Sequence, residues 1–136
     1  MSSERFEEWN IEKQIIHAKT PDDFFINVRE IWFVKMGQNI GYEENGKEEF
    51  LRPVLVLKKV GNMFFTVALT SRGKDNHIFY HKFNDIHLHN PRYEDSSYAI
   101  LSQARVIDKR RFFEYAGNIS KEEFQVIKQK LRALLL

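Results

Sequence analysis

Cysteine is absent from the 136 residues. That excludes disulfides and thiolate chemistry and suits a reducing cytoplasm. No apolar run approaches the length that spans a bilayer. The opening Met1-Ser2-Ser3-Glu4-Arg5-Phe6-Glu7-Glu8 is acidic and lacks the apolar stretch of a secretory signal. The expectation is therefore a cytoplasmic protein with no membrane partner. Neither sign of charge is in large excess: the formal net charge is +2. A dedicated non-specific nucleic-acid binder is usually more basic, whereas a protein that grips a few phosphates needs only local basic clusters. Internal repeats, low-complexity segments and clear metal-ligand clusters are also missing, and no cofactor is expected.

What remains is a globular composition, 43% hydrophobic and 29% charged, in a length that suits one compact domain. Twelve Phe and five Tyr favour strands, because aromatic rings fit a pleated, half-buried surface. Residues 3 to 17 read as a helix, with Ser2 or Ser3 as cap and Glu4, Glu7 and Glu8 at the positive end of its dipole. Thr20-Pro21-Asp22-Asp23 reads as a turn. The first core strand is expected at 29 to 36, followed by a long loop broken by Gly37, Asn39, Gly41, Asn45 and Gly46. Strands at 53 to 59 and 63 to 69 are joined by Val60-Gly61-Asn62 as a tight hairpin. A strand or hairpin at 77 to 89, strands at 97 to 101 and 103 to 107, and a short one near 113 to 117 follow. Ser120-Lys121-Glu122-Glu123 is a capping-box pattern, in which Ser120 binds the third amide and Glu123 reaches back. Phe124, Ile127, Leu131 and Leu134 then repeat at helical spacing. Short strands followed by one helix give a β-rich α+β fold, a small barrel with a C-terminal helix laid on it and an extra N-terminal helix.

Several residues are placed where chemistry is feasible. Arg52 precedes Pro53, so it sits in extended backbone at a strand entrance, with its guanidinium outside the core. On its own it reads as a surface arginine paired with Glu43, Glu44, Glu48 or Glu49. Thr70 and Ser71 end a strand, where hydroxyls commonly cap loop amides. Gln103 and Arg105 lie on a late strand, and Asp108-Lys109-Arg110-Arg111 forms a basic turn that reads equally as solvated, internally paired charge. His77 with His81, and His87 with His89, alternate onto shared strand faces, but no acidic partner falls at a convincing spacing.

Taken in order, Arg29-Glu30-Ile31-Trp32-Phe33-Val34, Asn39-Ile40-Gly41-Tyr42-Glu43, Arg52-Pro53-Val54-Leu55-Val56-Leu57, Val67-Ala68-Leu69-Thr70-Ser71 and Leu101-Ser102-Gln103-Ala104-Arg105-Val106-Ile107-Asp108-Lys109 resemble the MazF/PemK family, the toxin halves of type II toxin–antitoxin pairs. The resemblance implies an SH3-like barrel over 28–136, with residues 1–27 as a helical arm and linker outside it. It also implies a metal-independent, sequence-selective endoribonuclease. Such an enzyme cuts single-stranded RNA through the substrate's own 2′-hydroxyl and leaves a 2′,3′-cyclic phosphate and a 5′-hydroxyl. On that resemblance Arg52 matches the arginine at the scissile phosphate, and Thr70 the hydroxyl that contacts it. Glu43 either takes the 2′-hydroxyl proton or braces Arg52. Ser71, Gln103, Arg105 and Lys109 become RNA contacts. The implied partners are RNA, a second copy in a homodimer, and an antitoxin whose acidic C-terminal tail occupies the groove, with Trp32, Phe33 and Tyr42 as nearby apolar anchors. The loop before Arg52 departs from the family pattern by its length, so no recognition sequence carries over. Two alternatives stay open: a non-catalytic barrel that binds nucleic acid or a protein, and a CcdB-like toxin that binds gyrase.

Overall fold

The computed structural model describes residues 24–36, 51–89 and 97–136. The expected N-terminal helix, the loop that carries Glu43 and Tyr42, and the expected loop at 90 to 96 lie outside these residues. Seven strands are present: β1 (Glu30–Lys35), β2 (Leu51–Val60), β3 (Met63–Thr70), β4 (Tyr80–Lys82), β5 (Ile86–Leu88), β6 (Tyr98–Asp108) and β7 (Phe112–Ile119). A 3-10 turn at Lys109–Arg111 separates β6 from β7, and α1 (Lys121–Leu135) ends the chain. The strands form one sheet in the order β4-β6-β3-β2-β1-β7-β5, with every pairing antiparallel.

The strand expectations at 29 to 36, 53 to 59 and 63 to 69 agree closely with β1, β2 and β3. The hairpin between β2 and β3 turns on Gly61-Asn62, with Val60 paired to Met63. Gly61 has φ 65°, a left-handed conformation that glycine adopts without steric cost. The expectation of two strands at 97 to 101 and 103 to 107 is corrected: both belong to the single strand β6. Its register jumps from Val67↔Ala104 to Ala68↔Ile100, so residues 101–103 form a bulge. The exposed pair Ser102-Gln103 interrupts the apolar pattern there and mimics a strand break.

Alternation along the strands feeds two apolar clusters. Ile31, Phe33, Leu55, Leu57, Val67, Leu69 and Leu101 point to the face where α1 packs, and meet Phe124, Ile127 and Leu131. Burying those three helix side chains contributes about 2 kcal/mol each. Trp32, Val34, Val54, Val56, Phe64, Ile107 and Phe112 point to the other face. Ile26 joins them, and the Phe24 ring stacks on Trp32 at 5.0 Å.

Among the described residues the expected barrel is present as an antiparallel sheet with its C-terminal helix, and that sheet is not hydrogen-bonded into a closed ring. It is strongly curled. β4 and β5 are its two opposite edges, yet only residues 83–85 connect them. Such a connection spans at most about 14 Å, whereas the edges of a flat seven-stranded sheet would stand about 29 Å apart.

Candidate active site

Cross-strand pairing assembles the site from residues far apart in sequence. Val34 on β1 pairs with Arg52 on β2, Thr70 on β3 pairs with Tyr98 on β6, and Tyr98 pairs with Lys82 on β4. The β2–β3 ladder begins at Val54↔Ala68. Projected two residues further, its register sets Arg52 beside Thr70. Directly opposed residues of antiparallel strands project from the same face. Val34, Arg52, Thr70, Tyr98 and Lys82 therefore form one row across five strands, on the face away from α1. Arg52 is half-buried in extended backbone before Pro53, as expected.

The Thr70 hydroxyl accepts a hydrogen bond from the Arg72 amide at 3.1 Å. This is the loop-capping role read from the sequence. It leaves the hydroxyl proton free to donate to a ligand oxygen, so the cap and a phosphate contact are compatible. Ser71 follows, exposed. Arg105 is exposed and pairs with Thr66, which donates its own hydroxyl proton to the Arg105 carbonyl at 3.1 Å. Gln103, also exposed, lies in the bulge just before Ala104, and Arg105 shares its face with the buried Ile107. Arg105 lies four residues along β3 from Thr70, roughly 13 Å.

Not every expected residue joins this row. Lys109 sits where its amide bonds the Asn62 carbonyl at 3.0 Å, beyond the Met63 end of β3. Thr70 is at the opposite end of that strand, roughly 23 Å away. The basic turn is largely committed to local partners. Arg110 pairs with Asp108 at 3.1 Å and holds that carboxyl below its usual range, Arg111 donates to the Lys35 carbonyl at 3.0 Å, and the Lys109 ammonium lies 5.8 Å from the Phe24 ring centroid. Trp32 and Phe33 are corrected from surface anchors to core: they are 5% and 4% exposed and face opposite sides of the sheet. Glu43 lies outside the described residues.

The family described as PemK-like, MazF-like toxin of type II toxin–antitoxin systems matches residues 27–135. The chain belongs to that toxin family. Its fold agrees with those of solved structures. The MazE–MazF complex of Deinococcus radiodurans gives a TM-score of 0.63 at 21% identity, over 83% of this chain and 97% of that one. MazF alone from the same organism gives 0.60 at 21%, over 83% and 98%. An endoribonuclease in complex with its cognate antitoxin, from a mycobacterial species, gives 0.57 at 13%, over 79% and 92%. At these identities the likeness is one of fold. No curated protein matches the chain in sequence.

The toxin fold also brings together a cluster that the sequence did not reveal. His81 on β4 faces α1, 3% exposed, and its Nε2 lies 2.5 Å from Glu123 Oε2. Lys130, about two turns further along α1, places its ammonium 2.9 Å from His81 Nδ1. A lysine ammonium only donates, so Nδ1 accepts and the single imidazole proton sits on Nε2, donated to Glu123. The ring is neutral in this arrangement. Its pKa is lowered chiefly by burial and further by Lys130, against the opposing bond to Glu123. Glu123 also accepts from the amides of Asn84 at 3.0 Å and Asp85 at 2.8 Å. Ser120 does cap the helix by accepting from the Glu123 amide, but the expected reach of Glu123 back to the cap is replaced by this buried role. The acidic partner of His81 stands 42 residues away in sequence, whereas exposed His87 pairs with nearby Asp85 at 2.9 Å. Because His81 faces α1, it lies on the opposite side of the sheet from Arg52 and Thr70.

Proposed function

We propose that this toxin is a metal-independent, sequence-selective endoribonuclease for single-stranded RNA, working through the row formed by Arg52 and Thr70. The observation that carries the reading is the cross-strand alignment of a guanidinium and a hydroxyl with a free proton on one sheet face. The RNA 2′-hydroxyl attacks the adjacent phosphorus, the P–O2′ bond forms and the P–O5′ bond breaks. A base removes the 2′ proton, and the departing 5′ oxygen gains one. Arg52 balances the extra negative charge on the phosphorus centre, since its planar fork matches two phosphate oxygens. Thr70 donates to a non-bridging oxygen. Glu43 is the candidate for the base, or a brace for Arg52. Gln103 is suited to read a base edge and Arg105 to touch the backbone, with Ser71 beside the scissile group.

The family membership and the antitoxin complexes of its relatives support a protein partner as well. We expect an antitoxin whose acidic C-terminal tail folds onto the Arg52–Arg105 face and competes with RNA. We also expect a cytoplasmic homodimer with isologous contacts, for which the exposed Leu135 and Leu136 supply apolar surface. Among the described residues no helix is long and apolar enough to cross a membrane.

The test is purified protein with a mixed RNA pool and a chelator. Cleavage that leaves 2′,3′-cyclic phosphate ends supports the proposal. Binding of RNA without cleavage leaves a non-catalytic binding module, and inhibition of gyrase without either leaves a gyrase poison.

A further inference from the structure

Residues 71–76 run between β3 and β4, and all but Gly73 are exposed. Burial does not hold this segment in place. One aromatic ring does. Tyr98 pairs with Thr70 across the β3–β6 ladder, and the neighbouring Ser97 amide bonds the Thr70 carbonyl at 3.1 Å. The chain then passes over the Tyr98 ring at Gly73, so closely that a Cβ built there would lie 2.3 Å from Tyr98 Cγ. It reaches Asp75, whose carboxylate accepts the Tyr98 hydroxyl at 2.8 Å. Between these anchors the Arg72 amide bonds back to the Thr70 hydroxyl. The segment is therefore wrapped around one side chain, pinned at its start, middle and far end. The other flank of the ring meets Tyr80 edge-on at 6.4 Å.

We propose that Tyr98 is a positioning residue for the cleavage site, holding the 70–75 segment so that the Thr70 hydroxyl is aimed along the row toward Arg52. The proposal rests on the endoribonuclease reading given above. Tyr98 acts through Thr70, and its own hydroxyl proton is donated to the Asp75 carboxylate. The effect on cleavage follows from geometry. A hydroxyl that donates to one phosphate oxygen must be held to a fraction of an ångström, and displacement on the order of 1 Å lowers rates by up to about a hundredfold. An exposed loop with no ring inside it does not hold that tolerance. The close approach also gives position 73 a definite requirement, because any side chain there would occupy the space of the ring.

The experiment compares Tyr98→Ala, Tyr98→Phe and Gly73→Ala by single-turnover cleavage and by RNA affinity. Tyr98→Ala is expected to slow cleavage at least about tenfold while RNA affinity stays nearly constant. Tyr98→Phe keeps the ring and loses one bond, so its loss is smaller, and it folds as the parent does. Gly73→Ala is expected to resemble Tyr98→Ala. The decisive comparison is Tyr98→Ala combined with Thr70→Ala. If Tyr98 works through Thr70, the double variant is no slower than Thr70→Ala alone. A Tyr98→Ala protein that cleaves at the parent rate, or a double variant whose losses multiply in full, overturns the proposal. Hydrogen exchange separates this outcome from failure of the function itself. If the parent cleaves no RNA, the endoribonuclease reading falls. Exchange at residues 71–75 then still reads the latch: it rises in Tyr98→Ala, with β3 unchanged, if the ring holds the segment, and stays at the parent rate if it does not.

Discussion

Glu123 holds His81 across the gap between α1 and β4, with Nε2 and Oε2 2.5 Å apart. The same carboxylate takes the amides of Asn84 and Asp85, the residues that link the two edges of the sheet. Removing it strands a buried imidazole and two amides together, so Glu123→Ala is expected to cost about 3 kcal/mol. Glu123→Gln keeps the length and the acceptor oxygen and should cost less. Urea unfolding measures both, and equal losses would show that charge and not hydrogen bonding is what matters.

His81 makes stability depend on pH in a defined direction. Its folded pKa lies below the ordinary value of about 6.5. Above that value the ring is neutral in both states and contributes fully. As pH falls through about 6.5, the unfolded chain takes up a proton that the folded one resists, so stability declines. The facing charges are Lys130 and Glu123, and a proton on His81 sets a second cation against Lys130. The drop in unfolding midpoint between about pH 7 and 5 should be steeper in the parent than in His81→Asn. Parallel curves would place the pH dependence elsewhere.

Arg52→Ala should raise the barrier to RNA cleavage by about 2 to 4 kcal/mol, the usual worth of one charge-stabilising donor. Arg52→Lys should recover only part of it, because an ammonium lacks the planar fork. Cleavage rates measured on one defined RNA decide this, with the unfolding midpoint as a control on folding. Near-parental cleavage by Arg52→Ala would remove it from the mechanism.

Thr70→Ala should slow cleavage less than Arg52→Ala does, and Thr70→Ser should retain most activity. The serine hydroxyl still accepts the Arg72 amide and still offers its proton. If serine and alanine are equally slow, the threonine methyl is what the site uses.

The two basic RNA candidates on and beyond β6 should behave differently. Arg105 shares the face of Thr70, so Arg105→Ala is expected to weaken RNA binding and flatten its dependence on salt by about one unit of slope. Lys109 stands at the other end of the strand, so Lys109→Ala should leave both almost unchanged. Affinities from low to moderate salt test the pair, and equal effects would mean that RNA runs the whole length of β6.

Much of the fold was legible because local patterns agreed with it. The runs Val54-Leu55-Val56-Leu57 and Phe64-Phe65-Thr66-Val67, rich in β-branched and aromatic residues and with glycine at the turn between them, specify a hairpin whatever surrounds it. The helix spacing of Phe124, Ile127 and Leu131 is equally self-contained. What stayed hidden depends on distance through the chain. Nothing near Glu123 distinguishes a capping carboxylate from one that turns inward, because its partner is 42 residues earlier. Trp32 and Phe33 look like exposed anchors until both faces of the sheet prove to be packed. In the site, Arg52 and Thr70 were readable through the family pattern. Tyr98 was not, since only pairing across β3 and β6 brings it to Thr70.

The curl of the sheet has a consequence for how the protein is made. β1 finds its second neighbour only in β7, and the amides of Asn84 and Asp85 in the short link between the edges find their carboxylate acceptor in Glu123. Both closing elements come after residue 111, and ribosomes deliver a chain from its N-terminus. A nascent copy therefore already contains Arg52 and Thr70 while its sheet is still missing the strand and the carboxylate that complete it. Cooperative unfolding of a fragment ending at residue 111 would contradict this. For a toxin, that order of events delays the finished shape until the segment after residue 111 has been made.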